Sequence, residues 1–403
     1  MARDVTLPSL SSEPWLQARQ LREVMSALTA AGGEVRVAGG AVRNALLGVP
    51  VADVDLATTL PPDEVMYICK KVGFGVHPTG LAHGTITVVN HGVPFEVTTL
   101  RRDVATDGRR AVVSYTTNFE EDAQRRDFTM NAMYCDGDGK IYDFTNGYED
   151  IVKRRVRFVG DASQRIREDY LRILRFFRFQ ARYGSPRMHG NGLEACVQLR
   201  AGLARLSAER VHSELLKILE APQALRVLKV MAKRGILKVI LPHTEEWRVL
   251  SRLPGDGILR LFVLSKEPMA LQQALHLSNS EAARLVRLVD APNVTPRLLP
   301  QEQRRMVYQL GAAPFKDAVR LSWARSRAAM QDGRWAELLR LPDEWPAPVF
   351  PVTGADLKLI GMPSGPDMGR MLTELEDWWL ASDFKPDKDQ LLEKAKQMRS
   401  NHD

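Results

Sequence analysis

The stretch from Val35 to Thr59, VRVAGGAVRNALLGVPVADVDLATT, constrains this chain more than any other. A β-branched run, Val35 to Val37, breaks at Gly39-Gly40; a helix-like segment carrying Arg43 follows, and a second β-like run holds Asp53 and Asp55. Strand residues two apart share a face, so both carboxylates project together while Val54 points the other way. A Gly-Gly turn lets backbone N–H groups approach phosphate oxygens that a Cβ would obstruct, and Arg43 adds a charged contact. Two converging acids are the hard oxygen donors that Mg²⁺ prefers. The third glycine of a G-x-G-x-x-G fingerprint is absent, so the turn does not read as a dinucleotide site. The combination is the apparatus of nucleotidyl transfer.

Around this block the pattern divides the chain. Residues 16–31 read as an amphipathic helix, and β-rich runs follow at 54–57, 84–90 and 95–100, the last two separated by the turn-like Asn90-His91-Gly92. Residues 1–150 therefore predict a compact α/β head on a small, mostly antiparallel sheet. From about 160 onward the pattern is helical almost to the end, punctuated at Gly184-Ser185-Pro186, Leu253-Pro254-Gly255, Pro292 and Pro342 to Pro351. The expected fold class is α+β, with a helical neck over 151–220, a helical body over 221–345 and a helical tail over 346–403. A chain of 403 residues has ample core for such a division.

Composition excludes several classes. The net charge of +7 and pI near 9.3 favour a polyanionic partner. Cys69, Cys135 and Cys196 are scattered, with no C-x-x-C pair, which reads as buried thiols in a reducing compartment. The eight histidines show no ligand spacing such as H-E-x-x-H, so zinc is not expected. No apolar run approaches a membrane span or a signal-peptide core, and a soluble intracellular protein, bacterial cytoplasmic or in an organelle matrix, is expected.

GGAVRN followed by DVD resembles the signature of the class II tRNA nucleotidyltransferase and bacterial poly(A) polymerase family, within the polymerase β-like superfamily. Further blocks match in order: HGTITVV at 83–89, FEVTTLRRD at 95–103, RRDFTMNAM at 125–133, DFTNGYEDI at 143–151, REDYLRILRFFRF at 167–179 and SAERVHSELLKIL at 207–219. The resemblance is continuous over roughly residues 30–220 and implies a polymerase β-like head. It implies that Asp53 and Asp55 hold two Mg²⁺ ions, with Glu96 a supporting third carboxylate, and that Gly39, Gly40 and Arg43 bind the triphosphate. The family motif usually ends GGxVRD where this chain has Asn44, so an ion pair made by that Asp is lost; a local effect on the loop or on Arg43 is expected. The resemblance assigns Arg126 to nucleotide binding. Asp127 and Asn131, expected at i,i+4 spacing on the first turn of a helix, would read a ribose hydroxyl.

REDYLRILRFFRF is the expected specificity element. Arg172, Arg175 and Arg178 form one stripe, while Ile173, Leu174 and Phe177 face a core. Residues 153–182 carry ten Lys/Arg against three Asp/Glu, interleaved with phenylalanines too densely for all to be exposed. Asp169 and Arg172 form the expected base-selecting pair. A carboxylate accepts from an exocyclic amine and a guanidinium donates to a ring nitrogen, the order that cytosine and adenine present. Arg175 and Arg178 would contact phosphate or hold those side chains in place.

Within the family the product is a full CCA end on tRNA, its CC portion, or a poly(A) tail. RRDVATDGRRAVVSYTT at 101–117 resembles the flexible loop with which CCA-adding members switch from C to A, and TGLAHGTITVV at 79–89 resembles the CCA-enzyme form. CTP, ATP and tRNA, met at its 3′ end and acceptor/TΨC region, are the implied partners, with no DNA and no membrane. A non-catalytic RNA-binding protein on a degenerate transferase head is the alternative from another class, favoured only by Asn44. Helices are expected at 206–220, 223–234 and 264–276. In the tail, the Met362-Pro363-Ser364-Gly365-Pro366 turn leads into a helix whose amides would grip an RNA phosphate, or which is an αα corner packed by Trp378 and Trp379.

Overall fold

The computed structural model describes residues 6–107 and 110–400, with side chains excepted at 103–113 and 400. It forms two compact units, Met1–Pro242 with Ala274–His276, and His243–Gln273 with Leu277–Asp403.

The first unit is built on a seven-stranded sheet. Its strands are β1 (Val35–Ala38), β2 (Asp55–Thr58), β3 (Gly75–Gly80), β4 (Thr85–Asn90), β5 (Val93–Thr99), β8 (Met133–Cys135) and β9 (Ile141–Asp143), in the order β3-β4-β5-β2-β1-β8-β9. Pairing is antiparallel except between β2 and β5, which run parallel. The mixed sheet follows from strand patterns visible in the sequence: β4 alternates half-buried and buried residues along its whole length. The turn joining β4 and β5 places His91 at φ 47° and Gly92 at φ 79°, the double left-handed geometry of a two-residue hairpin. Helices α1 (Arg19–Ala30) and α3 (Pro62–Lys71) bury Leu21, Val24, Met25, Leu28, Val65 and Cys69, while α2 (Gly40–Leu46) leaves the end of β1. Strands β6 (Arg101–Asp107) and β7 (Arg110–Tyr115) pair as a separate ribbon. The stretch 101–117, expected to be a switching loop, falls here, and its side chains at 103–113 lie outside the described residues.

Helices α4 (Phe119–Gln124), α5 (Gly147–Val152), α6 (Ala162–Glu168), α7 (Leu171–Arg182), α8 (Gly190–Gln198) and α9 (Ala208–Glu220) complete the neighbourhood of the cleft. Helix α7 buries Ile173, Leu174 and Phe177 as its sequence predicts; Phe176 and Phe179, also buried, lie toward the arginine stripe, with Arg175 and Arg178 over the Phe179 ring.

The helix expected to open at Arg126 does not form. Phe128 is extended and bridges Phe158, and only a single 3₁₀ turn, Thr129–Asn131, precedes β8. Two local forces outcompete a helix. The Phe128 ring is fully buried, with Phe158 at 4.9 Å and Phe179 at 5.1 Å between centroids. In addition, the Asp127 carboxylate accepts from the Phe128 N–H at 2.8 Å, diverting a backbone donor.

The second unit is helical, as expected. The helix expected over 264–276 is broken: Gly257–Leu264 ends at the first residue of that range, and a 3₁₀ turn at Pro268–Ala270 leads into a short helix, Leu271–Leu275. Pro268 has no N–H to donate and disfavours helical backbone at Glu267, which explains the break. At the tail, helix Pro366–Ala381 follows the Met362–Gly365 turn. Trp379 is buried against Tyr308, Phe350 and Phe384, and its indole N–H donates to the Pro386 carbonyl at 3.1 Å. Cys69, Cys135 and Cys196 are buried and unpaired. No helix among the described residues is long and apolar enough to cross a membrane.

Candidate active site

The C-terminal end of β1, the start of β2 and the middle of β5 meet at one edge of a cleft of about 500 Å³. The parallel register that aligns Leu56 with Val97 sets Asp55 beside Glu96, both on the face opposite those buried residues. Ala38, opposite Asp55 on β1, is small and leaves the space open. Burial first, then the charges of Glu96 and Asp53, push the Asp55 carboxyl above the usual carboxylate range, while Arg126 pulls it down. Asp53 lies just before β2 and outside the lining of the cleft, so only one of the two aspartates stands on the strand itself. Among the described residues the side chains of Asp53, Asp55 and Glu96 have no hydrogen-bond or ion-pair partner, and no group of three or more His, Cys, Asp or Glu converges as a metal cage. A hard cation that takes one or two carboxylates and completes its shell with substrate oxygens and water fits this edge.

The glycine turn divides its labour. Gly39 has φ 55°, and a Cβ there would stand 2.8 Å from the Asn131 carbonyl oxygen and 3.1 Å from Arg126 Nη1. Its N–H is spent on the Met133 carbonyl at 2.9 Å. Gly40 has open space around an added Cβ, and the first backbone bond of α2 is made by Arg43, from N–H to the Gly39 carbonyl. The N–H groups of Gly40, Ala41 and Val42 in the first turn of α2 have no protein acceptor among the described residues, whereas that of Gly39 is used.

Arg43 is buried, and each of its hydrogen-bond partners is neutral. Its Nη1 donates to Asn131 Oδ1 at 2.5 Å; Nε and Nη2 donate to Asn44 Oδ1 at 3.1 and 2.8 Å; Nη2 also donates to the Tyr183 hydroxyl at 3.0 Å. The guanidinium lies over the Tyr183 ring at 4.4 Å. Burial lowers its pKa, and Arg178 adds to this against the opposing pull of Tyr183 and Asp127. Asn44 thus retains the orienting acceptor that an Asp would supply, without the charge, and its own Nδ2 donates to the Pro50 carbonyl.

From Arg43 a side-chain strut crosses the floor. Asn131 Nδ2 donates to Asp127 Oδ1 at 3.1 Å, and Arg175 donates to Asp127 Oδ2 through Nε at 2.8 Å and through Nη2. Burial alone would raise the Asp127 carboxyl, but the Arg175 charge and the hydrogen bonds from Asn131, Arg175 and the Phe128 amide hold it below the usual range. Asp127 and Asn131 do share one side, through a 3₁₀ turn and not through an α-helix.

Arg126 is fixed by a residue the sequence did not single out. The side chain of Asp122, 2% exposed, accepts Arg126 on Oδ2, Arg125 on Oδ1 and the Tyr134 hydroxyl on Oδ2 at 2.6 Å. Burial would raise its carboxyl, but Arg126, Arg125 and Tyr134 overcome this and hold it at about 2.

On the opposite wall α6 ends at Glu168 and α7 begins at Leu171, with Asp169 extended between them. Asp169 Oδ1 accepts from the Leu171 N–H at 3.1 Å, and Oδ2 accepts from Arg210 Nη2 at 2.7 Å. Arg172 Nη1 is paired with Glu168 and donates to the Arg165 carbonyl at 2.7 Å, and Nη2 donates to the Arg125 carbonyl at 3.5 Å, leaving Nε without a protein partner among the described residues. Arg178 stands apart: it pairs with Glu214 at 2.6 Å and does not line the cleft.

Of the residues expected from sequence, Gly39, Gly40, Arg43, Asp55, Glu96, Arg126, Asp127, Asn131, Asp169, Arg172 and Arg175 line the one cleft; Asp53 and Arg178 do not. The structure adds Arg101, Arg125, Phe179 and Arg210 to the lining. Seven arginines face four carboxylates across it, a net positive surface suited to a polyanion. The i,i+4 spacings Asp122–Arg126 and Glu168–Arg172 were readable signals for two of the missed carboxylates. Nothing local marks the Asp169–Arg210 pair, separated by 41 positions.

Residues 35–157 match the family described as Poly A polymerase head domain, and residues 188–248 match the family described as probable RNA and SrmB-binding site of polymerase A. The mitochondrial CCA tRNA nucleotidyltransferase 1 of Danio rerio is 38% identical over 386 residues, covering 89% of this chain and 86% of that protein. A CCA-adding enzyme of Latilactobacillus sakei is 29% identical, covering 93% and 96%. Among solved structures, the Bacillus stearothermophilus CCA-adding enzyme in complex with CTP aligns with a TM-score of 0.76 at 28% identity, over 97% of this chain and 99% of that one.

Proposed function

The chain belongs to the family of CCA-adding tRNA nucleotidyltransferases, and we propose that the arginine-lined cleft is where it extends tRNA. It adds C, C and A to the tRNA 3′ end from CTP and ATP, releasing pyrophosphate, with no nucleic-acid template. The observation that carries this reading is the meeting of an acidic strand edge, a Gly40–Arg43 phosphate cradle and the Asp169–Arg172 elbow around a single space.

Such transfer asks a protein for positioning and charge neutralisation more than for covalent chemistry. Asp53 and Asp55, supported by Glu96, would hold the divalent ions, Mg²⁺ in our reading, which when bound activate the RNA 3′-hydroxyl and neutralise charge on the triphosphate. The Gly40 amide and the Arg43 guanidinium bind triphosphate oxygens, and Arg126 adds a second fixed cation. Asp127 and Asn131 orient Arg43 and Arg175 and offer their remaining lone pairs and N–H to the ribose. Asp169 accepts from the exocyclic amine of cytosine or adenine, and Arg172, through Nε, donates to the adjacent ring nitrogen. Uracil and guanine reverse that polarity and leave buried groups unpaired, at about 1–3 kcal/mol each. Arg178, held by Glu214, braces α7 behind the pair. We read residues 1–150 as the catalytic head, 151–220 as the nucleotide-selecting neck, 221–345 as the body and 346–403 as the tRNA-binding tail, working in the cytoplasm or an organelle matrix.

Incubation with tRNA lacking its terminus, first with each nucleotide alone and then with CTP and ATP together, tests this. CMP, CMP and AMP are added and extension stops; Asp53→Ala and Asp55→Ala each abolish incorporation while the fold persists. A long A tract, arrest after CC, or tRNA binding without incorporation would overturn the reading in favour of a poly(A) polymerase, a CC-adding enzyme or a binding protein.

A further inference from the structure

We infer that Arg210, on α9, is a positioning residue that sets nucleotide discrimination by holding the Asp169 carboxylate from outside the elbow. The inference rests on the reading that Asp169 faces the base. Asp169 sits at φ −154° and ψ 107°, the single extended residue between two helices, so backbone hydrogen bonding alone does not lock its side chain. One oxygen caps the Leu171 N–H; the other is taken by Arg210 Nη2 at 2.7 Å. The segment that leads to α9 braces the same elbow a second time. Tyr170 packs on Gly202, where an added Cβ would lie 2.0 Å from the ring. Arg205 stacks over that ring at 5.8 Å. Asp169 and Tyr170 are thus gripped in turn by residues 202–210, and Arg210 itself lines the cleft.

With Arg210 present, the second lone pair of each Asp169 oxygen keeps a fixed direction, and only an incoming amine donor at that place is matched. Without it the carboxylate rotates, follows donors at other positions, and the penalty on a wrong base falls. The Arg210–Asp169 pair is partly exposed, 48% and 33% by side chain, so its loss has little effect on global stability.

The test uses the full chain with tRNA lacking its terminus, measuring kcat/KM for CTP and for UTP, with the melting temperature alongside. Arg210→Ala is expected to lower the CTP-to-UTP ratio by about tenfold, the scale of one mispaired polar group. KM for CTP rises while the melting temperature holds, and Arg210→Lys, which retains a donor, recovers most of the ratio. An unchanged ratio in Arg210→Ala, or one that falls only together with the melting temperature, overturns the inference. Asp169→Asn separates this from the underlying reading. If it leaves the ratio intact, Asp169 does not read the base and both fall; if it lowers the ratio while Arg210→Ala does not, only the role of Arg210 falls.

Discussion

Replacing Asp122 by Asn should cost this protein both stability and nucleotide affinity. The carboxylate is nearly sealed from solvent and accepts from Arg125 at 2.9 and 2.6 Å, from Arg126 at 3.1 and 3.0 Å and from the Tyr134 hydroxyl at 2.6 Å. An Asn of the same shape keeps one acceptor oxygen but removes the charge that two guanidinium groups share. Breaking a buried ion pair from one side costs about 3–5 kcal/mol, and the retained acceptor puts this case near the lower figure. The depressed pKa that these contacts produce points the same way: a fall from 3.8 to about 2 corresponds to roughly 2 kcal/mol at neutral pH. Because the folded-state pKa is depressed, that contribution is full above about pH 4 and is lost as pH falls through about 2. Urea unfolding at pH 7 should therefore show a loss of about 2–3 kcal/mol, and the acid limb of stability should be flatter in Asp122→Asn than in the parent. Since Arg126 loses its anchor, kcat/KM should drop to a similar degree for CTP and ATP, leaving base preference alone. A stability loss under about 0.5 kcal/mol, with an unaltered acid limb, would refute the buried clamp.

Divalent-ion affinity should weaken as pH falls through the raised pKa of Asp55, because the proton and the cation compete for one carboxylate. In the ion-free protein the sign is opposite: Asp55 favours folding more as it protonates. Titration calorimetry at several pH values checks the first and urea unfolding of the ion-free protein the second; a pH-independent affinity would contradict the assignment. Gly39→Ala should destabilise the protein by a few kcal/mol, since its Cβ meets the Asn131 carbonyl oxygen at 2.8 Å on a left-handed backbone. Gly40→Ala should fold normally and raise KM for both nucleotides; thermal melts and steady-state kinetics distinguish them, and equal melting points would contradict the division of labour.

Much of this cleft was legible because its signals are local. The strand bearing Asp55, the β4–β5 hairpin and the two faces of α7 are periodicities within ten residues or so, and the structure keeps them. Asp122 and Glu168 stand as i,i+4 partners of Arg126 and Arg172, a spacing that any solvated helix face also shows. Where reading failed, tertiary packing overrode spacing: the Asp127–Asn131 interval looked helical, yet burying the Phe128 ring demanded extended backbone. Pro268 was in plain sight, and the apolar residues on either side of it still suggested one helix over 264–276. Long-range pairs had no signal at all. Arg175–Asp127 spans 48 positions and Arg178–Glu214 spans 36; these arginines, expected to contact phosphate or to hold neighbouring side chains in place, are each paired with a protein carboxylate. Asn44 was expected to act locally on the loop or on Arg43, and its Oδ1 accepts from Arg43 Nε and Nη2 without a carboxylate's charge.

The strut from Arg43 through Asn131 and Asp127 to Arg175 ties the proposed triphosphate cradle to the helix that carries Arg172. In the proposed reading, grip on phosphate and choice of base are thereby joined by a continuous row of hydrogen bonds and are not separate dials. Any successor of this chain that came to prefer a different nucleotide by changing this row of side chains would loosen its hold on every nucleotide. Freedom to retune lies outside the row, at positions that touch the elbow alone.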